Sequence, residues 1–359
     1  MSEHRHVRSL GFEAPGQPFF AGYDEGPPAP WELRIETLFS GFSAGTELTF
    51  MKGTNPYLRS RWDEGRRQFV PGEAGMHYPV PFVGYMECGR VIEGTARGVD
   101  TGSVVAGAWG HKTGHMIDPG RDRFFALPET IDPMLGIYVG QMGPIAANGI
   151  LYADAELAGR DTTRLGASLA GRPVLVFGAG VVGFFVALFA QAAGASEVVI
   201  ADPSPFRRLR AETLGFAAMT EAEAIDHAKG RWKGADLVFQ TRASGESLAN
   251  AMKALRPHGA VIDLAFYQGG ADAVRLGEEF HHNWLSIRCA QVGRVPRGME
   301  HLWDHERLGR ETIGLLAKRG VEIRQQLITH VVPFDEAPEF LRALVADRPE
   351  FIQIVFDYR

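Results

Sequence analysis

The segment VLVFGAGVVGFF, residues 174–185, constrains the fold of this chain more than any other stretch. An apolar run ends in a glycine and leads at once into a run whose apolar residues recur at helical spacing. This pattern predicts a buried strand, a tight turn and a helix. Gly178, Gly180 and Gly183 form a G-x-G-x-x-G array across the turn. Such glycines permit the turn, let the backbone approach a pyrophosphate and let the helix pack on the strand, so the segment predicts a dinucleotide-binding unit.

Further strand-like runs follow the array and alternate with helical stretches. These runs are EVVIAD (197–202), ADLVFQT (235–241), AVIDLAF (260–266) and LSIRCAQ (285–291). Alternation of this kind is typical of a parallel sheet with helices on its faces. We therefore expect an α/β fold with a doubly wound parallel sheet in residues 151–291.

The regions on either side of this unit differ from it in composition and in hydrophobic pattern. Residues 1–150 are rich in Gly, Pro and short β-like runs such as GSVVAGAWG, which is typical of a small barrel or irregular β domain. After residue 291 come a helical stretch, GRETIGLLAKRG, and two strand-like runs, QQLITHVVPF and FIQIVFDY. A β-containing tail in this place indicates that residues 292–359 return to complete the first domain.

Length and composition narrow the class of protein. A chain of 359 residues favours two domains, and a formal charge of −6 gives no electrostatic reason to expect a nucleic-acid partner. Two cysteines, Cys88 and Cys289, are too few for a disulfide scaffold or a four-cysteine zinc site. The start of the chain lacks the apolar core of a signal peptide, and no apolar run reaches the roughly 18 residues of a membrane span. We expect a cytoplasmic protein with no membrane partner.

The acidic residue Asp202 bears on the choice of dinucleotide. It ends the strand-like run after the glycine array, nineteen positions beyond Gly183. A carboxylate there can accept hydrogen bonds from both adenosine ribose hydroxyls and would repel a 2′-phosphate, which favours NAD. NADP stays possible because either Arg207 or Arg208 could reach a 2′-phosphate. Asp202 could instead open a turn and cap the next helix. Val182, inside the array, joins these residues as a cofactor-binding candidate.

The order of a β-rich front, a GAGVVG nucleotide unit and a β-containing tail resembles the medium-chain dehydrogenase/reductase superfamily. This group contains zinc alcohol and polyol dehydrogenases and zinc-free quinone reductases. Besides the glycine array, the matching segments are LFSGFSAGTEL (38–48), PFVGYMECGRVIE (81–93), GSVVAGAWG (102–110), LGIYVGQMGPIAANGIL (135–151) and LITHVVPFDEAPEFLRAL (327–344). The resemblance implies a GroES-like catalytic domain, a Rossmann domain, an NAD(P)-dependent activity and a homodimer or homotetramer. SGFSAGTE and GMHYPVPFVGY most resemble the branch that contains bacteriochlorophyllide dehydrogenase.

The zinc ligands of the superfamily have no counterparts here. Zinc-dependent members take a cysteine from a Gly-x-Cys-Gly-Thr-Asp motif, a histidine from a Gly-His-Glu motif and a third Cys, Asp or Glu near the interdomain helix. These positions fall at Ser43, Tyr85 and Gln141, and the motif glutamate is replaced by Met86. Hydroxyl, amide and thioether groups are poor substitutes for thiolate and imidazole. The resemblance therefore implies a member without catalytic zinc.

Without a metal, side chains must hold the substrate oxygen and move its proton. The catalytic candidates from these motifs are Ser43, Thr46 and Tyr85; Thr46 matches a superfamily hydroxyl that begins a proton relay. Glu47, which replaces the motif aspartate, is a substrate-site candidate or a brace for nearby backbone. The alternatives are that Ser43 and Thr46 bond the backbone of their own turn and that Tyr85 fills the space left by zinc.

The segment WGHKTGHMIDPG supplies two further candidates, His111 and His115. The flanking Gly110 and Gly114 favour a strand or loop over a helix. Imidazole is the side chain that most readily moves a proton near neutral pH, so we take His111 as a catalytic candidate and His115 as a pocket residue. Metal binding by the pair and an ordinary surface position are the alternatives.

A third polar cluster, FHHNWLSIRCAQVGRVPRG, surrounds the last predicted strand of the sheet. Asn283 precedes that strand and Arg294 follows it, and both are candidates for the substrate site. Arg294 could bind an anionic substrate through two hydrogen bonds or pair with a carboxylate. The insertion at 54–80 is expected to form a surface loop with an aromatic anchor.

Three functions remain in competition. The first is oxidoreduction of a secondary alcohol and its ketone, with a polyol, sugar or ring alcohol as the small-molecule substrate. The second is reduction of enones or quinones, the reaction that zinc-free members of the resembling superfamily usually catalyse. The third is a catalytically silent nucleotide-binding protein that serves as a redox sensor or partner subunit. The polar candidates around Tyr85 favour the first.

Overall fold

The computed structural model describes residues 4–359 and divides into two compact units. One unit comprises the described residues up to 140 together with 328–359, and the other comprises 141–327. The predicted boundaries at 150 and 292 are therefore corrected. Residues 292–327 belong to the nucleotide-binding unit because the long helix at 305–327 packs against three other helices of that unit.

The first unit is mostly β structure. Its elements up to residue 126 are β1 (Arg5–Ala14), β2 (Gln17–Glu25), β3 (Leu33–Phe42), helix α1 (Glu47–Met51), β4 (Ser60–Asp63), β5 (Gln68–Pro71), β6 (Glu87–Glu93), β7 (Val104–Gly107), β8 (Gly114–Ile117) and β9 (Phe124–Ala126). Two 3-10 turns lie at Pro56–Leu58 and Pro133–Tyr138. Strands β4 and β5 pair as a hairpin, so the 54–80 insertion has secondary structure of its own.

The second unit alternates strands and helices. Its elements are α2 (Met142–Leu157), β10 (Pro173–Phe177), α3 (Val181–Ala192), β11 (Glu197–Ala201), α4 (Pro205–Thr213), β12 (Ala217–Met219), α5 (Glu221–Trp232), β13 (Ala235–Gln240), α6 (Gly245–Ala254), β14 (Leu255–Asp263), β15 (Ser286–Cys289) and α7 (His305–Leu327). All neighbouring strands are parallel, in the order β12-β11-β10-β13-β14-β15. The predicted doubly wound parallel sheet is confirmed. Its strand order reverses between β10 and β13, the crevice where such sheets bind ligands.

The chain then returns to the first unit through β16 (Ile328–Pro333), α8 (Ala337–Asp347) and β17 (Gln353–Asp357). The main sheet of that unit has the order β16-β17-β3-β6-β7-β9, and β8 also pairs with β3. Nine of the ten residues of β3 are buried, since other elements cover both faces of this central strand. The segment that follows β3 is therefore held on a rigid base.

Within residues 4–359, no helix is both long and apolar enough to cross a membrane.

Candidate functional site

The glycine array lies where β10 turns into α3. Gly178 has a φ of +105°, and a Cβ atom added at Gly183 would lie 1.9 Å from the Gly178 carbonyl oxygen. The protein itself thus requires these two glycines. A Cβ atom at Gly180 would meet nothing closer than a guanidinium nitrogen of Arg207 at 3.9 Å. Space is left beside Gly180 at the amino end of α3, as close approach of a pyrophosphate would require, so these residues fit a dinucleotide.

Asp202 is only 3% exposed and holds the backbone around this turn. One carboxylate oxygen accepts a hydrogen bond from the Ala179 N–H at 2.8 Å, and the other accepts one from the Ser204 N–H at 2.9 Å. The alternative in which Asp202 opens the turn before the next helix therefore accounts for part of its role. Each oxygen retains a second lone pair, so ribose binding stays a prediction.

The two arginines at the start of α4 differ in their surroundings. Arg208 donates hydrogen bonds to the carbonyl oxygens of Asp202 and Pro203, both at 2.8 Å. Arg207 lies beside Gly180, which keeps it a candidate for a cofactor phosphate. Val182 is partly exposed in the first turn of α3.

Two alanine substitutions separate packing from cofactor binding at the array. We expect Gly183→Ala to lower the free energy of unfolding by about 1–3 kcal/mol, because its methyl group would overlap the Gly178 carbonyl. Gly180→Ala is expected to leave stability nearly unchanged and to weaken binding of NADH or NADPH by roughly tenfold or more, because its methyl group would enter the space of the phosphates. Urea unfolding and quenching of cofactor fluorescence measure the two effects. Undiminished binding by Gly180→Ala would contradict this assignment.

The first unit brings Ser43, Thr46 and Tyr85 together. Ser43 follows β3, Thr46 precedes α1, and Tyr85 precedes β6. The Tyr85 hydroxyl makes a short hydrogen bond with the Ser43 hydroxyl and donates another to Thr46 Oγ1 at 3.2 Å. Ser43 is buried, whereas Tyr85 and Thr46 are partly exposed. The predicted catalytic hydroxyls thus form one cluster that solvent reaches.

The Tyr85 phenol is held in its neutral form. Burial and the nearby Glu47 carboxylate raise the pKa of Tyr85 to about 12, although the hydrogen bonds with Ser43 and Thr46 act in the opposite direction. At neutral pH this side chain is a proton donor. A protonated phenol and a serine hydroxyl do not fit a catalytic zinc ion, which binds thiolate, imidazole or carboxylate.

Glu47 and His111 lie beneath this cluster rather than on a substrate surface. Glu47 is 1% exposed and His111 is fully buried. One Glu47 oxygen accepts a hydrogen bond from the Ser43 backbone N–H at 3.0 Å, and the other lies 2.7 Å from His111 Nε2. His111 Nδ1 lies 2.7 Å from the Ser40 hydroxyl. The prediction that Glu47 and His111 contact the substrate is therefore corrected. Both side chains lie behind the hydroxyl cluster.

Ser40, His111 and Glu47 have the chemical order of a serine hydrolase triad. A nucleophile must meet its substrate, yet all three side chains are buried. The Ser40 hydroxyl is also hydrogen-bonded to the Tyr358 hydroxyl at 2.9 Å. This array therefore supports its surroundings and does not attack a substrate.

Glu87 is a buried carboxyl group of the same region that the sequence reasoning missed. One of its oxygens accepts a hydrogen bond from the Trp109 N–H at 2.6 Å. Burial raises the pKa of Glu87 to about 7, and the nearby His111 and several backbone N–H groups only partly oppose this. Its position two residues after Tyr85, at the start of β6, was the available signal, because it places a carboxyl group close to the candidate hydroxyls in sequence.

Gly84 explains why a glycine precedes Tyr85. Its φ is +105°, and a Cβ atom there would lie 2.9 Å from a Glu87 carboxylate oxygen and 2.9 Å from the His111 backbone nitrogen. Only glycine fits this approach without strain. The backbone at Tyr85 is therefore fixed directly against Glu87 and His111.

His115 does not join this cluster. Its ring stacks on Trp109 with centroids 5.9 Å apart, and its Nε2 lies 3.7 Å from Asp122. Burial and the neighbouring Lys112 lower the pKa of His115 to about 4, against the charge of Asp122. His115 is therefore a neutral, packed side chain, and its predicted pocket role is corrected.

The two candidates near β15 lie at opposite ends of that strand. Asn283 precedes the strand, so it lies at the edge of the sheet opposite the glycine turn, and the substrate role predicted for it is corrected. Arg294 lies beyond the carboxyl end and is exposed. Asn148, which is fully buried on α2, donates a hydrogen bond to the Arg294 carbonyl oxygen at 3.0 Å and fixes this segment. Substrate binding by Arg294 stays a prediction.

Across residues 4–359, no three or more His, Cys, Asp or Glu side chains are grouped so as to hold a metal ion. Metal binding by His111 and His115 as a pair therefore has no support in this part of the chain.

Comparison with known proteins adds to these observations. Residues 181–304 match the family model described as zinc-binding dehydrogenase. No curated protein sequence matches the chain. The matched segment lies within the nucleotide-binding unit, so it includes neither Ser43 nor Tyr85.

Solved structures match nearly the whole chain. L-idonate 5-dehydrogenase from Escherichia coli K-12 is 16% identical with a TM-score of 0.73, covering 99% of this chain and 100% of its own. The 2R,3R-butanediol dehydrogenase from Bacillus subtilis is 16% identical, with a TM-score of 0.70 and coverage of 98% and 100%. The chain has the fold of these dehydrogenases. A short chain alcohol dehydrogenase from Escherichia coli CFT073, complexed with NADH, has the same fold at 15% identity, a TM-score of 0.70 and coverage of 98% and 99%.

Proposed function

We propose that this protein is an NAD(P)-dependent oxidoreductase that interconverts a secondary alcohol and its ketone without catalytic zinc. The observation that carries the proposal is the cluster of Ser43, Thr46 and Tyr85 hydroxyls, partly open to solvent and backed by buried polar groups. Ser43 and Tyr85 replace the two main zinc ligands of the resembling enzymes, and neither is a suitable zinc donor. A polyol, sugar or ring alcohol is the proposed substrate class.

The cofactor would be held by the second unit. Gly178, Gly180 and Val182 would face its pyrophosphate, and Asp202 would accept hydrogen bonds from the ribose hydroxyls of NAD. Arg207 would serve a 2′-phosphate if NADP were bound instead. When bound, the nicotinamide supplies the hydride acceptor or donor of the reaction.

The first unit supplies the proton chemistry. In ketone reduction, the O–H bond of Tyr85 breaks as its proton moves to the substrate oxygen, and the O–H bond of the product alcohol forms. A phenol with a pKa of about 12 is a much stronger acid than an alcohol, so this transfer is favourable. The Ser43 and Thr46 hydroxyls can then donate hydrogen bonds to the phenolate oxygen. In alcohol oxidation the same proton moves in the opposite direction.

The role of Tyr85 as proton donor predicts different pH dependences for alcohol oxidation and for ketone reduction. Oxidation requires the phenolate form of Tyr85, so kcat/KM should rise about tenfold per pH unit from about pH 7 to 10. Reduction uses the protonated form and should stay flat across that range, since the pKa of Tyr85 is about 12. Steady-state rates in both directions test this. An inflection near pH 7 in the oxidation profile would instead indicate a histidine or a metal-bound water as the base.

Two substrate panels test the function itself. Polyols, sugars and ring alcohols with NAD or NADP should be turned over, and enones and quinones with reduced cofactor should not. Metal analysis of the same preparation should find no stoichiometric zinc, and activity should survive a chelator. Turnover of the second panel alone would establish the reductase alternative. Tight cofactor binding without turnover of either panel would favour a silent nucleotide-binding protein.

A further inference from the structure

A continuous line of buried polar contacts runs behind the hydroxyl cluster. It begins at the Ser43 backbone N–H and passes through Glu47, His111 and Ser40 to the Tyr358 hydroxyl, with successive separations of 3.0, 2.7, 2.7 and 2.9 Å. The members come from the loop after β3, from α1, from the loop before β8, from β3 and from the residue after β17. Five places in the unit are thus joined by polar groups that have no role in the proposed proton transfer.

The surroundings favour a charged pair at the centre of this line. A buried carboxylate is strongly destabilising unless it is paired and hydrogen-bonded. Both Glu47 oxygens have a partner, the Ser43 N–H and the His111 ring. Both nitrogens of His111 lie within hydrogen-bond distance of an oxygen, so an imidazolium could donate in both directions.

The aromatic packing around His111 has two opposing effects on its protonation state. The Phe42 ring is stacked on the imidazole at 6.3 Å, and the Phe356 ring meets it edge-on at 5.1 Å. The face of an aromatic ring attracts a cation, whereas the exclusion of water by such packing disfavours it. Burial lowers the pKa of His111, but the hydrogen bond and charge of Glu47, with the charge of Glu87, raise it overall.

We propose that His111 is a positioning residue: paired with Glu47, it holds the Ser43 backbone in place and thereby sets the Ser43 hydroxyl against Tyr85. The reason is that each oxygen of the Glu47 carboxylate has its own partner. One of its oxygens holds Ser43, whose hydroxyl contacts Tyr85, and the other is fixed by His111. Ser40 and Tyr358 in turn fix the far side of the imidazole ring. This inference rests on the proposed role of Tyr85 as proton donor.

Several groups contribute to the charge state of His111. Glu47 faces it from α1, Glu87 faces it from β6, and Ser40 faces it from β3. Tyr358 contacts it through Ser40, and Lys112 is its neighbour along the chain. Among residues 4–359, Glu47 alone forms a hydrogen bond to Nε2 of His111, so that carboxylate is the group to change.

The test compares His111→Gln and Glu47→Gln with wild type. For His111→Gln we expect kcat to fall about ten- to hundredfold, because a small displacement of a reacting group has an effect of this size. The Kd for NADH, measured by fluorescence quenching, should not change. His330→Gln, a partly buried histidine on β16 of the same unit, is the matched control and should keep wild-type kcat. Wild-type kcat in a folded His111→Gln protein would overturn the proposal.

Nuclear magnetic resonance gives a second readout that needs no turnover. The His111 imidazole signal, identified by its absence in His111→Gln, should be that of an imidazolium at pH 7 and should become neutral in Glu47→Gln. The Tyr85 ring signals, identified with Tyr85→Phe, should shift in both variants. A His111 that titrates near its ordinary value of about 6.5 with unmoved Tyr85 signals would overturn the inference.

The two readouts keep this inference separate from the proposed function. If wild type turns over neither substrate panel, the proposed function fails, and the Tyr85 signals still show whether His111 positions that residue. If His111→Gln does not fold, Ser40→Ala, which removes the Nδ1 partner together with the hydrogen bond to Tyr358, carries the same test. Shifted Tyr85 signals in Ser40→Ala support the proposal, and unchanged signals contradict it.

Discussion

Replacing Tyr85 by phenylalanine is expected to lower kcat for ketone reduction by roughly 100-fold or more, the usual contribution of a positioned general acid. The ring would remain in place, so the change removes only the hydroxyl that contacts Ser43 and Thr46. Because these contacts lie in the first unit, the affinity for NADH should not change. Steady-state kinetics and cofactor fluorescence measure the two quantities.

Controls make this result specific to the Tyr85 hydroxyl. Tyr152→Phe, on α2 of the second unit, removes a phenol hydroxyl elsewhere and should retain wild-type rates. Thermal unfolding of Tyr85→Phe should reveal a loss of only about 1 kcal/mol, the net contribution of an ordinary hydrogen bond. Retention of more than half the wild-type kcat by a folded Tyr85→Phe protein would show that another group donates the proton.

The second large effect concerns Glu87 and protein stability. Folding raises the pKa of this buried carboxyl from 4.5 to about 7, so between these values the folded protein binds a proton that the unfolded chain has released. Stability must therefore fall as pH rises through this window. The full effect corresponds to about 3 kcal/mol. Glu87→Gln has no proton to lose and should remove this fall while its amide oxygen still accepts the Trp109 N–H.

Urea unfolding of wild type and Glu87→Gln at pH 5 and pH 8 measures the difference. The variant should gain stability relative to wild type at pH 8 and show little difference at pH 5. Glu36→Gln, at an exposed position on β3, is a matched control and should follow the wild-type pH profile. Equal pH dependence in wild type and Glu87→Gln would mean that Glu87 is ionised throughout this range.

The nucleotide-binding unit could be predicted from sequence because its signals are local. The run at 173–178 and the array that follows correspond to β10 and the start of α3 almost residue for residue. The boundary at 292 was wrong for a physical reason. Helix α7 has a buried stripe, and a periodic pattern shows that one face is buried without showing which unit covers it.

The candidate site was predictable only in part. The motifs at Ser43, Thr46 and Tyr85 led to one cluster because the resemblance links two segments that are distant in sequence. His111 stands among polar and glycine residues, so nothing local shows that it is buried. Its partner Ser40 is 71 positions away, and Ser40 in turn meets a hydroxyl 318 positions away. Pairings of this kind depend on sheet register, which periodicity does not supply.

The strand pairing of β17 with β3 also affects the order in which the chain can fold during synthesis. Residues 141–327 are contiguous, so that unit can fold before the chain beyond it is made. Strand β3 must wait for β17, about 300 residues later, and closing so long a loop slows folding. Until then one edge of β3 lacks its partner, and Ser40 lacks the Tyr358 hydroxyl. A chaperone that meets the chain before β17 pairs with β3 would therefore find an incomplete β-sheet in the first unit.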